Sequence, residues 1–227
     1  MTTHDIARVE RTEMYLKSVL TIALAGYRVT TSRVAEAMAV SAPSASEMLK
    51  RLEHHGYLEP SAGGIRLTAS GRQVATQVVR RLRLAERLLT DILKMELVAV
   101  YDEACKLEHV ISPEVEARLD DVLGRPETCP HGHPIPKPDG TLLARRDQTL
   151  ASLAPRAPAR ITALPEERTD LLRATLEAGL SLGAEISVEE TATPRGPLIV
   201  RAGGARRTLS RDAAGQVWVA SFTGTAG

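Results

Sequence analysis

Two cysteines in 227 residues leave no material for a disulfide framework, so the expectation is a reducing setting. No apolar run reaches membrane-spanning length, and the start lacks a basic stretch followed by an apolar signal core; the chain reads as cytoplasmic. The net charge of +1 supplies no overall field for a polyanion. There is neither an internal repeat nor a low-complexity tract. What is present is unevenly placed. Between Arg28 and Arg83 nine Lys and Arg residues face four Glu, which makes that segment the place for an acidic partner to dock, or else a solvated helical surface.

The length allows two or three small domains, each with its own core. From about Arg8 to Ala25, Met14, Leu16, Val19, Leu20 and Ile22 recur with helical spacing, and Gly26 ends the run. Thr31 or Ser32 can cap a second short helix. Ser41 can cap a third, with Pro43 in the first turn where a missing N–H costs little. Tyr57–Pro60 and Ile65–Thr68 flank a Gly63-Gly64 turn and predict a hairpin. Three helices and a hairpin make a winged helix-turn-helix. A fourth helix, about Ser70 to Leu93, carries a near-heptad seam of Val74, Val78, Leu82, Ala85, Leu89 and Ile92, suited to a partner. A fifth runs from about Leu97 to His109 and a sixth to about Leu123. Prolines then punctuate an irregular connector from Gly124 to Pro158. Beyond it, short strands at 159–163, 185–188, 198–201, 207–209 and 217–221 surround one helix, about 167–178. The fold class is therefore mainly α with a small β domain of the SH3-like barrel kind.

Cys105, Glu108 and His109 are the chemically richest stretch. On a helix they share a face at i, i+3 and i+4. Sulfur, oxygen and nitrogen together suit a divalent transition metal better than calcium or magnesium; a buried Cys beside a surface Glu and His is the bland alternative. A cysteine enzyme using Cys105 with His109 would need an oxyanion site, and no glycine-rich turn accompanies the thiol. In the helix-turn-helix, the DNA-facing set is Thr31, Ser32, Arg33, Ser41, Pro43, Ser44, Ser46, Glu47, Arg51 and Arg66. The serines can bond phosphates or bases, Pro43 can touch a thymine methyl, and Arg51 and Arg66 can hold phosphates. With few bidentate base readers, specificity rests largely on DNA shape. Ser41 and Ser44 also serve simply as caps, and winged helices also bind proteins.

Thr12-Glu13-Met14-Tyr15-Leu16, Leu84-Ala85-Glu86-Arg87-Leu88-Leu89, Asp102-Glu103-Ala104-Cys105 with Glu108-His109-Val110, and Pro130-His131-Gly132-His133-Pro134-Ile135-Pro136 occur in an order that resembles the diphtheria toxin repressor family. The resemblance covers about the first 140 residues well and the last third in outline. It implies a homodimeric repressor that binds double-stranded operator DNA when ferrous iron, or in a related branch manganese, is in excess. It divides the chain into a winged-helix domain (1–73), a helical metal-binding and dimerisation domain (74–140), a linker (141–158) and an SH3-like domain (159–227).

The same resemblance assigns a primary metal site to Met14, Cys105, Glu108 and His109. Met14 by itself reads as core. Thioether and thiolate donors match the iron-sensing branch, since the manganese branch has carboxylates there, so Fe(2+) is expected, with Mn(2+) as the alternative. The family's second site keeps Glu86, but Leu82 and Tyr101 stand where it has histidines. Glu167 and Asp170 are the candidates for the pair that the SH3-like domain contributes. The balance falls on loss of this site, with Glu86 a surface or salt-bridged carboxylate. Cys129, His131 and His133, spaced two apart, offer further donors in what the family uses as a structural loop. The competing function is a winged-helix regulator that senses a small molecule or redox state without metal.

Overall fold

The computed structural model describes residues 3–143, 145–189 and 196–221. Its contacts divide it into two compact units. One runs to Leu82 and takes in Leu107–Ser112 and Pro136–Leu142; the other holds Arg83–Lys106, Pro113–Ile135 and the chain from Leu143 onward.

The first unit opens with α1 (Thr3–Leu24), longer at its start than the apolar spacing predicts. Tyr15, Leu16, Val19 and Leu20 form its buried stripe and meet Val34, Ala45, Leu49, Leu52, Leu58 and Val79 in one core. Burying each such side chain contributes about 1.5–3 kcal/mol. The second helix, α2 (Thr31–Ala37), is capped by Thr30, whose hydroxyl accepts from the Arg33 amide; the cap lies one residue before the expected Thr31. Ser41 caps α3 (Ala42–His54) by accepting from the Ser44 amide at 3.3 Å. The wing is β1 (Leu58–Ser61) paired antiparallel with β2 (Gly64–Leu67). Gly64 is required there: its φ is +110°, and a Cβ would fall 2.1 Å from the Val29 carbonyl oxygen.

The unit boundary falls within α4 (Ala69–Arg87), which gives way to a π turn over Leu88–Ile92 instead of continuing as α-helix to Leu93. The next helix, α5, spans Leu97–Leu107, so Glu108 and His109 sit in the turn after it, not on it. The reason is local: Val110 and Ile111 both donate back to the Leu107 carbonyl, and Pro113 ahead disfavours helical backbone at Ser112. Pro113 opens α6 (Pro113–Val122), none of whose residues is buried in the protomer.

The C-terminal portion is a six-stranded antiparallel sheet in the order β3-β8-β4-β5-β6-β7. Its strands are β3 (Gln148–Thr149), β4 (Pro158–Ala163), β5 (Glu185–Val188), β6 (Leu198–Ala202), β7 (Ala205–Leu209) and β8 (Trp218–Ser221). Helix α7 (Thr169–Glu177) and a short α8 (Arg211–Gln216) pack on it, around Ile161, Leu164, Leu172, Val200 and Val219. Leu97 and Val98 of α5 pack against this core. Helical N-terminal domains followed by a small SH3-like β domain are the fold class read from the sequence. No described helix is long and apolar enough to cross a membrane.

Candidate functional site

In the first unit, α1 presents Glu13, half-buried Met14 and buried Lys17 within one turn. Glu108, fully buried, accepts from Lys17 Nζ at 2.5 Å. His109 Nδ1 lies 2.6 Å from Glu13 Oε2, and its Nε2 lies 3.2 Å from Glu108 Oε1. Arg81 fastens the corner, donating to Glu13 Oε1 and to the Glu108 carbonyl, both at 2.7 Å. Hydrogen bonds to Glu108 and then Glu13 push the His109 pKa up to about 9. Burial opposes ionisation of Glu13, but His109 and Arg81 outweigh it and hold the carboxyl below its usual range. Glu108 Oε2 is buried without a hydrogen-bond partner among the described residues. Such an orphaned carboxylate oxygen costs about 1–3 kcal/mol unless a cation meets it, so the residues fit a metal.

Cys105 belongs to the last turn of α5, half-buried. One turn earlier Tyr101 faces it; burial, with Glu167 and Cys105 close by, raises the phenol well above its usual range.

The second unit brings together Glu86, the loop pair Cys129 and His131, which the sequence offered separately, and Glu166, which it did not offer. Glu86, Cys129, His131 and Glu166 place one ligand atom each within 4.8 Å of one another, all four buried. Helix α4 builds it through Arg83, Glu86 and Arg87 at i, i+3 and i+4. Arg83 donates to Glu166 with Nε and a terminal nitrogen, both at 2.8 Å, and to the Pro134 carbonyl at 2.6 Å. Arg87 donates to the Thr128 carbonyl at 2.7 Å. These anchors hold the loop 128–135 over Glu86. Inside the loop the Cys129 amide donates to the His133 carbonyl, and Gly132, with φ +87°, passes where a Cβ would lie 2.2 Å from the Thr162 carbonyl oxygen. The Leu164 amide donates to the His131 carbonyl at 2.9 Å, which seats Glu166 two residues on.

Glu86 and His131 are fully buried and 3.3 Å apart, yet neither side chain has an aligned hydrogen bond among the described residues. Burial and the neighbouring Glu166 raise the Glu86 carboxyl; burial disfavours His131 protonation, but Glu86 outweighs it and lifts the imidazole. Burial next to Glu86 and Glu166 pushes the Cys129 thiol well up. Glu166 is also buried, but Arg83 overrides that and holds it low. Two carboxylates, a thiol and an imidazole with orphaned polar atoms form a donor set for a divalent transition metal. His133 stands outside it: Nε2 lies 2.8 Å from the Leu164 carbonyl and Nδ1 3.3 Å from Arg145, while burial lowers its pKa to about 4.

Of the residues named for the second site, whose loss the sequence favoured, Glu86 is not at the surface but buried in an ion pair with His131 at 3.3 Å. Asp170 is exposed and paired with Arg168, and Glu167 is exposed, whereas the preceding Glu166 joins Glu86. The sequence signal for Cys129 and His131 was their spacing in a loop; nothing local marked Glu166, whose role depends on the β4–α7 connection folding under Arg83.

On the DNA-facing set, Ser32, Arg33, Ser41, Pro43, Ser44, Glu47, Arg51 and Arg66 are exposed, and Thr31 and Ser46 half-exposed. Ser41 donates to the Ser44 hydroxyl in addition to capping. Arg66 pairs with Glu59 at 3.0 Å, and Arg33 lies over the Tyr27 ring.

Three family models match the chain: iron dependent repressor, N-terminal DNA binding domain, over residues 8–62; iron dependent repressor, metal binding and dimerisation domain, over 68–137; and the FeoA domain over 148–221. The diphtheria toxin repressor of Corynebacterium diphtheriae is 35% identical over 191 residues, covering 79% of this chain and 84% of that protein. The iron-dependent repressor IdeR of Mycobacterium tuberculosis H37Rv is 33% identical over 196 residues, 81% of this chain and 85% of that one. Among solved structures, a manganese-dependent transcriptional repressor in complex with manganese superposes with a TM-score of 0.85 at 32% identity, over 93% of this chain and all of the other.

Proposed function

The chain belongs to the iron-dependent repressor family and is a metal-dependent, homodimeric DNA-binding transcriptional repressor of iron or manganese genes, not an enzyme; from that premise we propose which metal it senses and with which residues. The metal is Fe(2+), with Mn(2+) the alternative, and the setting is the cytoplasm. The activating ligands are Met14, Cys105, Glu108 and His109. Glu86, Cys129, His131 and Glu166 form a second centre in place of the set with Glu167 and Asp170. The sulfur donors Met14 and Cys105 favour iron over manganese. The domain division is 1–73, 74–140, 141–158 and 159–227.

One observation carries the reading: among the described residues, Glu108 Oε2, both carboxylate oxygens of Glu86 and both nitrogens of His131 are buried without a hydrogen-bond partner, which native proteins rarely tolerate without an ion or water. When bound, the metal would supply a multivalent positive charge to these groups. Met14 and Glu108 would then hold α1 against the turn after α5, and His109 would ligate in its neutral form. The helix-turn-helix on α2 and α3 follows α1 through their shared core, so the orientation of Ser41, Pro43, Ser44, Ser46 and Glu47 toward a major groove is linked to occupancy. Thr31, Ser32, Arg33, Arg51 and Arg66 hold the flanking phosphates.

The test is operator affinity by fluorescence anisotropy against free ferrous ion, manganous ion and chelator. Tight binding with ferrous ion and weak binding with chelator is expected, and Cys105→Ala should remove the metal response while leaving the circular dichroism unchanged. A stronger response to manganese than to iron would refute the sulfur argument.

A further inference from the structure

Lys17 stands one turn after Met14 on α1 and is buried, only 4% exposed. Its ammonium donates to Glu108 Oε1 at 2.5 Å, and among the described residues the second oxygen of the same carboxylate lacks a hydrogen-bond partner. Around the pair, Arg81 and His109 already engage Glu13, and His109 also reaches Glu108. Two carboxylates here meet three basic side chains before any metal arrives.

Taking an ammonium out of water is costly, and an apolar residue at this helical position would fill the same core without that cost. The charge therefore acts on Glu108. A carboxylate oxygen that accepts from an ammonium has less electron density to give a metal, and two cations at one carboxylate repel each other. Resting on the ligand set proposed above, we propose that Lys17 is a resident counter-cation: it holds Glu108 in the metal-free chain, competes with the metal for that carboxylate, and so sets the concentration at which the primary centre fills. Metal-free Glu108 is kept folded inward, ready to ligate, and the threshold is raised by the charge that keeps it there.

The experiment titrates Co(2+) into the intact metal-free homodimer, by calorimetry and by the thiolate-to-cobalt absorbance that is lost in Cys105→Ala. Lys17→Gln can still donate to Oε1 without the charge, and should bind Co(2+) about tenfold or more tightly at the Cys105 centre. Lys17→Arg should stay within about threefold of the parent. Lys17→Met, which leaves His109 as the remaining counter-charge to buried Glu108 among the described residues, should lower the melting temperature of the metal-free protein and recover it on Co(2+) addition. Unchanged or weaker Co(2+) binding in Lys17→Gln overturns the competition. So does an equal loss in Lys17→Gln and Lys17→Arg, which would make Lys17 a positioning residue. If the parent protein shows no Cys105-dependent absorbance at all, the ligand set fails and the inference with it, an outcome readable without any Lys17 variant.

Discussion

Glu86 Oε1 and His131 Nδ1 lie 3.3 Å apart, both side chains fully buried, without the alignment of a hydrogen bond. The proposed second centre rests on this ion pair, whose side chains have no aligned hydrogen bond among the described residues. The expected stoichiometry is two Co(2+) per protomer, falling to one in Glu86→Gln with His131→Ala. At a metal concentration of about 100 times Kd, the lost site forfeits about 2.7 kcal/mol of linked stability, or very roughly 5–10 °C of melting temperature for a chain of this size. Equal stoichiometry in parent and double variant would refute the second centre.

Arg83 and Glu166 make the strongest contact of that centre, two parallel N–H···O bonds with both partners nearly inaccessible. Bidentate geometry makes guanidinium hard to replace. Arg83→Met should cost about 3–5 kcal/mol, because Glu166 is left buried without its counter-charge and the Pro134 carbonyl without its donor. Urea denaturation of metal-free protein checks the loss, and added metal should restore part of it.

How much of this was legible before the structure differs by element. Helices and wing followed from local signals: Ser41 before Pro43, the apolar stripe from Tyr15 to Leu20, Gly64 in the turn. The end of α5 did not, because continuous helical spacing through His109 hides the turn set by Leu107 and Pro113. The connector was read as irregular, yet Arg83 and Arg87 fasten its carbonyls to α4, a long-range pairing without periodicity. Glu166 was missed in favour of Glu167 by one residue. In a β-to-helix connection, neighbouring side chains diverge, and only the packing decides which one turns inward. Buried Lys17 is likewise invisible in sequence, since a lysine between apolar positions reads as a helix surface.

Asp147 gives the acid limb. Burial raises its carboxyl, but hydrogen bonds from Arg145 and Thr162 more than offset this and leave its pKa lowered. A depressed folded pKa contributes stability that is present above the unfolded value of about 3.9 and is lost as pH falls through the folded value. Asp147→Asn should therefore lower stability at neutral pH by about 1 kcal/mol, the net size of an ordinary hydrogen bond, and the gap to the parent should close below about pH 4. Arg145 also lies 4.6 Å over the ring of Trp218, the only tryptophan, so intrinsic fluorescence reports the transition directly. A gap that persists at the lowest pH would assign the loss to packing instead of ionisation.

Val122 is 72% exposed, Val115 47%, Ile92 52% and Leu93 60% in the single protomer. Apolar side chains of this size on α6 and at the end of the π turn, in a segment matching a dimerisation domain, are the surface two copies would bury. A two-fold interface meets each substitution twice, so a charge there is penalised on both sides. Val122→Asp with Ile92→Glu should weaken the homodimer by about 100-fold or more, from about 1.4 kcal/mol per tenfold step. The fold of the protomer should survive, since neither residue belongs to a core. Sedimentation velocity would then show monomer at micromolar concentration, and operator affinity would fall even with metal saturating, because one recognition helix alone reads only a half-site. An intact dimer carrying both charges would move the interface elsewhere on the molecule.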